Sequence, residues 1–143
     1  MPEANSGQAG VRRPRVLLAD DHQLVLDRVN ALLRSDFEVV GVAHDGLELV
    51  TLAVSLSPEV IVADISMPGL SGIDALRQLR GLGASPKVVF LTIHTEDEFI
   101  QACLAEGGMG YVTKTHMRSD LIPAIKAALS GRKYVSPARV GDH

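Results

Sequence analysis

Apolar runs and periodically spaced apolar positions alternate along the chain from residue 16 onward. Val16–Ala19, Val60–Ala63, Val88–Leu91 and Gly110–Thr113 are short continuous runs, the pattern of strands covered on both faces. Phe37–Val42 reads as a further strand and leads to the turn signal Asp45-Gly46. Helical spacing fills the intervals. Residues 23–34 carry Val25, Val29, Leu32 and Leu33, and Gly46–Leu56 forms a second helix closed by Ser57-Pro58. Gly72–Arg80 places Ile73, Leu76 and Leu79 near one face, and Glu96–Glu106 carries Phe99, Ile100, Cys103 and Leu104 before Gly107-Gly108 ends it. A last helix, capped by Ser119 or Asp120, sets Leu121, Ile125, Ala128 and Leu129 on one side, with Pro123 at or near its first turn.

Five β/α units in series predict an α/β fold: a doubly wound five-stranded parallel sheet with five helices on its two faces. Such sheets bind ligands at the carboxyl ends of their strands, near the topological switch point. The 143 residues fit one domain, and 46% apolar content supports a real core. With three Phe and two Tyr as the only aromatics, that core is aliphatic. A net charge of −3 gives no electrostatic case for nucleic-acid binding by this chain itself. Cys103, the single cysteine, excludes an internal disulfide and reads as a buried structural thiol. No apolar run approaches membrane-spanning length and residues 1–14 lack a signal-peptide core, so a cytoplasmic location and no membrane partner are expected. The five histidines show no metal-ligand spacing, which disfavours zinc. No glycine-rich phosphate loop comes after the first strand, which disfavours dinucleotide or ATP binding.

The candidate chemistry lies at the residues just beyond the strands. Asp20 and Asp21 come after the first, Asp64 after the third, Thr92 after the fourth and Lys114 after the fifth. Helices cover the sheet faces, so these termini share one edge and the groups converge. Three clustered carboxylates repel one another, and a bound Mg²⁺ (or Mn²⁺) removes much of that cost, taking one or two carboxylates together with water and phosphate oxygens. Asp21 and Asp64 suit direct ligation, Asp20 helps through water, and the loop after Asp64 adds a backbone carbonyl, at Ser66. Lys114 supplies a further positive charge, and the Thr92 hydroxyl can donate to an incoming oxyanion. The set suits phosphoryl transfer with a carboxylate as acceptor.

Asp20-Asp21, Asp64 with Met67-Pro68-Gly69, Thr92, Tyr111 and Lys114, in this order at the expected strand ends, resemble the receiver domain of two-component response regulators. The resemblance covers about residues 14–131. The stretch GRKYVSP at 131–137 also resembles the junction leading to a LuxR-type helix-turn-helix in the nitrate-regulator-like subfamily. The resemblance implies that Asp64 accepts a phosphoryl group from the phosphohistidine of a sensor histidine kinase, and that Asp20 and Asp21 organise the metal. It implies that Lys114 pairs with Asp64 and then with the phosphoryl group, that Thr92 moves toward the new oxygens, and that Tyr111 rotates inward as a switch. It further implies a signalling switch rather than a metabolic enzyme, dimerisation on phosphorylation, and DNA binding only through a C-terminal domain lacking here. The organisation expected is a disordered lead-in at 1–14, a receiver domain at 15–131 and the start of a linker at 132–143.

Three positions depart from the family pattern. Thr115 stands after Lys114 where a proline is frequent, Ile93 stands after Thr92 where a small residue is usual, and His94 occupies a position that tunes phosphoryl lifetime in the family. Ile93 and His94 are therefore expected to alter phosphorylation and hydrolysis rates. Singly, each site residue has a plainer use: Asp20-Asp21 as a helix cap, Asp64 as a turn residue, Thr92 as a strand end, Lys114 as a surface cation, Tyr111 as core packing. A stand-alone receiver acting through protein partners is an alternative. A haloacid-dehalogenase-type phosphatase is another, but such enzymes place a second aspartate two residues after the nucleophile, where this chain has Ser66.

Overall fold

The computed structural model describes residues 12–93 and 96–136. The strands are β1 Arg15–Ala19, β2 Glu38–Ala43, β3 Val60–Ala63, β4 Lys87–Thr92, β5 Gly110–Thr113 and β6 Tyr134–Val135. The helices are α1 Gln23–Leu33, α2 Gly46–Leu56, α3 Gly72–Gly81, α4 Asp97–Ala105 and α5 Met117–Leu129, with a single 3₁₀ turn, Lys114–His116, leading into α5. The sheet order is β2-β1-β3-β4-β5-β6, and every pairing is parallel. From β1 the chain first winds to one side, then crosses to β3 on the other, so the switch point lies between β1 and β3.

Alternation within the strands builds a core on each face. Leu17, Ala19, Ile61, Ala63, Phe90 and Tyr111 pack with Leu49 and Ala53 of α2, Leu76 and Leu79 of α3, and Ile100 and Cys103 of α4. Val16, Leu18, Val60, Val62, Val89 and Val112 pack with Leu26, Val29 and Leu33 of α1 and with Leu121, Ala124, Ile125 and Ala128 of α5. Cys103 is fully buried and burial pushes its thiol up to about 12, so it behaves as an inert packing residue. Among the described residues, no helix is long and apolar enough to cross a membrane.

Three expectations are corrected. The sheet has six strands, because the segment after α5 returns to the edge: Tyr134 N–H donates to the Met109 carbonyl (2.9 Å) and Ser136 N–H to the Tyr111 carbonyl (2.8 Å). A two-residue strand carries too little periodicity to be read from sequence. Neither Ser119 nor Asp120 caps α5, which begins at Met117 straight after the 3₁₀ turn. Asp120 is instead buried, and the hydroxyls of Ser136 and Tyr134 donate to its carboxylate. Pro123 consequently lies in the interior of α5, on its exposed face, where water can satisfy the carbonyl that its missing N–H leaves free. The segments at 1–11 and 137–143 lie outside the described residues.

The buried Asp120–Ser136 contact fastens β6 to α5. Ser136→Ala removes a hydroxyl donor from a buried carboxylate and should cost about 1–3 kcal/mol. Urea unfolding monitored by circular dichroism should show a lower midpoint with an unchanged slope.

Candidate functional site at the strand carboxyl ends

Strand register brings the acidic residues together. Ala19 pairs with Ala63 across β1 and β3, so Asp20 and Asp64 emerge side by side at the switch point. The Asp64 N–H donates to the Ala19 carbonyl (2.9 Å) and the Asp20 N–H to the Ala43 carbonyl (3.1 Å), which continues the ladders into the site. Thr92 pairs with Thr113 at the ends of β4 and β5, so Lys114 enters one residue beyond that pair. Gly72 opens α3 directly against the Asp64 loop. Its N–H donates to the Ile65 carbonyl (2.8 Å), and a Cβ there would stand 2.2 Å from the Asp64 carbonyl oxygen, so no larger residue fits without displacing that loop.

Asp20 and Asp64 are almost fully buried, at 2% and 4% exposure. The Lys114 ammonium lies between them, with Nζ 2.9 Å from Asp20 Oδ2 and 3.1 Å from Asp64 Oδ2. It donates a hydrogen bond to Asp64, whereas Asp20 Oδ2 is in ion-pair contact without a well-aligned donor. Burial pushes the Asp64 carboxyl above its ordinary range, although Lys114 pulls it down. Burial also acts to lower the Lys114 ammonium, but its contacts with Asp20 and Asp64 outweigh that effect and its pKa is raised. One ammonium does not neutralise three carboxylates. Asp20, Asp21, His22 and Asp64 each present a ligand atom within 4.8 Å of the others, which suits a divalent cation.

The remaining candidates fall in and around this pocket. Asp21 is at the exposed mouth, and the Ser66 N–H donates to Asp64 Oδ1 (3.3 Å), so Asp64 also has the turn role open to it. Asp20 and Asp21 do not cap α1: its N-cap is His22, whose side chain makes no capping bond. Thr92 is fully buried at the end of β4, and Tyr111 is fully buried with its ring inside the core. Ile93 is 72% exposed beside the site, and His94 lies outside the described residues. Two residues were missed. His22 was visible only as the neighbour of two aspartates, and Gly72 only as a helix start.

A doubly wound sheet with a lysine-bridged acidic pocket at its switch point is the arrangement expected of a receiver domain. The chain belongs to the response regulator receiver domain family, whose profile matches residues 16–126, and its relatives place it among the LuxR-type receivers. It is 40% identical over 119 residues to the transcriptional regulatory protein LiaR of Bacillus subtilis (strain 168), covering 82% of this chain and 56% of LiaR. It is 37% identical over 125 residues to the response regulator GacA of Pseudomonas viridiflava, covering 86% of this chain and 58% of GacA. The chain thus spans little more than half the length of these relatives. The crystal structure of a LuxR-family two-component response regulator from Aurantimonas sp. SI85-9A1 superposes with a TM-score of 0.85 at 32% identity, covering 91% of this chain and 94% of that one. The isolated receiver domain of RcsB from Salmonella enterica serovar Typhimurium, solved with the phosphomimetic BeF₃⁻, gives 0.82 at 27% identity, covering 91% and 98%. The fold is the flavodoxin-like receiver fold, and the dehalogenase-type alternative gives way to a signalling receiver.

Lys114→Met leaves two buried carboxylates facing each other, and in metal-free buffer near pH 7.5 it should cost about 3 kcal/mol of stability. A carboxyl held above its unfolded pKa gains folded-state stability as pH falls. The deficit should therefore shrink toward pH 5 as Asp64 takes up a proton, measured by thermal melts across pH.

Proposed function

We propose that Asp64 accepts a phosphoryl group from the phosphohistidine of a sensor histidine kinase. The observation that carries this reading is the Lys114 bridge, which sets an ammonium against the buried Asp64 carboxylate at the switch point. The Asp64 oxygen forms a bond to phosphorus while the phosphorus–nitrogen bond to the donor imidazole breaks, and the departing imidazole takes up a proton from solvent. Asp20, Asp21, Asp64 and the Ser66 carbonyl would hold Mg²⁺ or Mn²⁺. When bound, the ion offsets the charge on the phosphoryl oxygens.

The chain's own groups supply the rest. Lys114 passes from the lone Asp64 carboxylate to the acyl phosphate that replaces it, and its proximity to Asp20 keeps the ammonium in place meanwhile. Thr92, sealed at the end of β4, donates its hydroxyl toward the new oxygens. Phosphorylation adds about −1.5 to −2 charge. Movement of Thr92 toward that charge alters the packing around Tyr111, the switch residue of this reading, whose ring is buried in the core. The face formed by α4, β5 and α5 carries the change to partners. The likeness to transcriptional regulators supports a role in which phosphorylation promotes a homodimer and DNA is contacted only through a separate LuxR-type domain of the kind those relatives are expected to carry. The domain is a switch that catalyses only its own phosphorylation and dephosphorylation.

Incubation with acetyl phosphate and Mg²⁺ should add one phosphoryl group to the intact mass, absent for Asp64→Asn and in metal-free buffer. No adduct on folded, metal-binding protein would overturn the reading. Ile93, exposed beside the pocket, screens the acyl phosphate from water. Ile93→Ala should shorten the half-life of the phosphorylated protein about threefold, on the scale of a modest change in solvent access. Equal half-lives for variant and parent would remove Ile93 from the mechanism.

A further inference from the structure

The Asp45-Gly46 step has no part in the mechanism above. Gly46 opens α2 and is buried, and nothing in its own backbone calls for glycine, because its φ is not positive. Glycine there weakens the helix relative to alanine. The demand comes from a neighbouring segment: a Cβ on Gly46 would stand 2.0 Å from the Leu70 carbonyl oxygen and 2.6 Å from Leu70 Cβ. Leu70 belongs to residues 64–71, the loop that joins Asp64 to α3, so the helix start and the acceptor loop meet backbone to backbone. Ile65 and Met67 hold the first half of that loop by burying their side chains in the core. Gly72 abuts its first residue at the Asp64 carbonyl, and Gly46 abuts Leu70 near its last. Between them Gly69, at a left-handed φ of 79°, has open space around it. Gly46 is itself firmly placed. The Glu48 N–H donates to Asp45 Oδ1 (2.8 Å) and the His44 N–H to Glu48 Oε1 (2.7 Å), a reciprocal cap. The Ala43 carbonyl, just before this corner, accepts from the Asp20 N–H (3.1 Å). The corner between β2 and α2 is thus tied to the Asp20 backbone on one side and braces the Asp64 loop on the other.

Resting on the reading of Asp64 as the phosphoacceptor, we infer that this corner is a positioning element for phosphoryl transfer and that Gly46 is the residue through which it acts. A side chain at position 46 must open the 2.0 Å gap to an ordinary contact, a shift of about 1 Å or more in the Leu70 carbonyl or in the start of α2. The loop is short and pinned at Gly72, so the shift passes to Ser66, whose N–H donates to Asp64 Oδ1 (3.3 Å) and orients the carboxylate. Attack on phosphorus requires that carboxylate in line with the bond that breaks, and a misplacement of about 1 Å costs on the order of 100-fold in rate. Gly46 touches neither the donor nor the reacting atoms. It acts through Leu70.

The experiment follows the whole chain by intact mass with acetyl phosphate and Mg²⁺. Gly46→Ala should gain its phosphoryl group at least about tenfold more slowly than the parent. Gly81→Ala, the same change at the end of α3 where a Cβ meets nothing, should stay within about twofold. In amide magnetic resonance spectra, Gly46→Ala should move the signals of Ser66, Leu70 and Gly72 together with those of the corner, a signature that a general loss of stability would not give. Glu48→Ala keeps Gly46 but releases the His44 N–H, and should slow the reaction about threefold, on the scale of one hydrogen bond. Folded Gly46→Ala reacting at the parent rate, or with the signals of residues 64–72 unmoved, overturns the role of Gly46 and leaves Asp64 as the acceptor. If Gly46→Ala does not fold, the parent rate in Glu48→Ala overturns it. A folded parent that takes up no phosphoryl group overturns the acceptor reading and this inference with it.

Discussion

One ammonium between two buried carboxylates is the interaction on which the rest of the site depends. Asp20 and Asp64 are placed by adjacent strands where water is nearly excluded, an arrangement that costs free energy through desolvation and through mutual repulsion. Lys114 offsets part of both, close to each partner and itself largely buried. It does not offset all of it. The raised pKa of Asp64 reflects the residual cost. A site built this way favours the arrival of positive charge at its mouth, and then of a phosphoryl group that Lys114 can answer.

The sheet provides the precision that this balance needs. Continuous ladders run from Ala19 and Ala63 into the site, and Gly72 seats α3 directly on the Asp64 backbone. On the other side, β5 carries Tyr111 and delivers Lys114 through a short 3₁₀ turn. The Tyr111 carbonyl in turn holds Ser136, so the segment leaving α5 is tied to the strand that bears the proposed switch residue. Acceptor loop, lysine and chain exit are thereby parts of one hydrogen-bonded layer.

Much of this was legible in the residues. Four apolar runs each ended in a polar or charged residue, and parallel topology sends all such ends to one edge, so convergence of Asp20, Asp64, Thr92 and Lys114 was implied by order alone. The features that stayed hidden depended on tertiary context. Tyr134–Val135 is too short for periodicity, and it is held by a carboxylate on α5 that resembled a helix cap. The start of α5 was obscured because Pro123 suggested a first turn, while the strand-to-helix connection had already begun the helix at Met117.

The most direct test of the central claim is chemical mapping of the phosphorylated carboxylate. Borohydride reduces an acyl phosphate to an alcohol, converting a phosphorylated aspartate to homoserine, which peptide mass spectrometry can locate. With protein phosphorylated by acetyl phosphate and Mg²⁺, the account predicts homoserine at position 64 and nowhere else. Homoserine at position 20 or 21, with Asp64 unmodified, would contradict it, because the carboxylate paired with Lys114 would then be a structural counter-ion and not the acceptor.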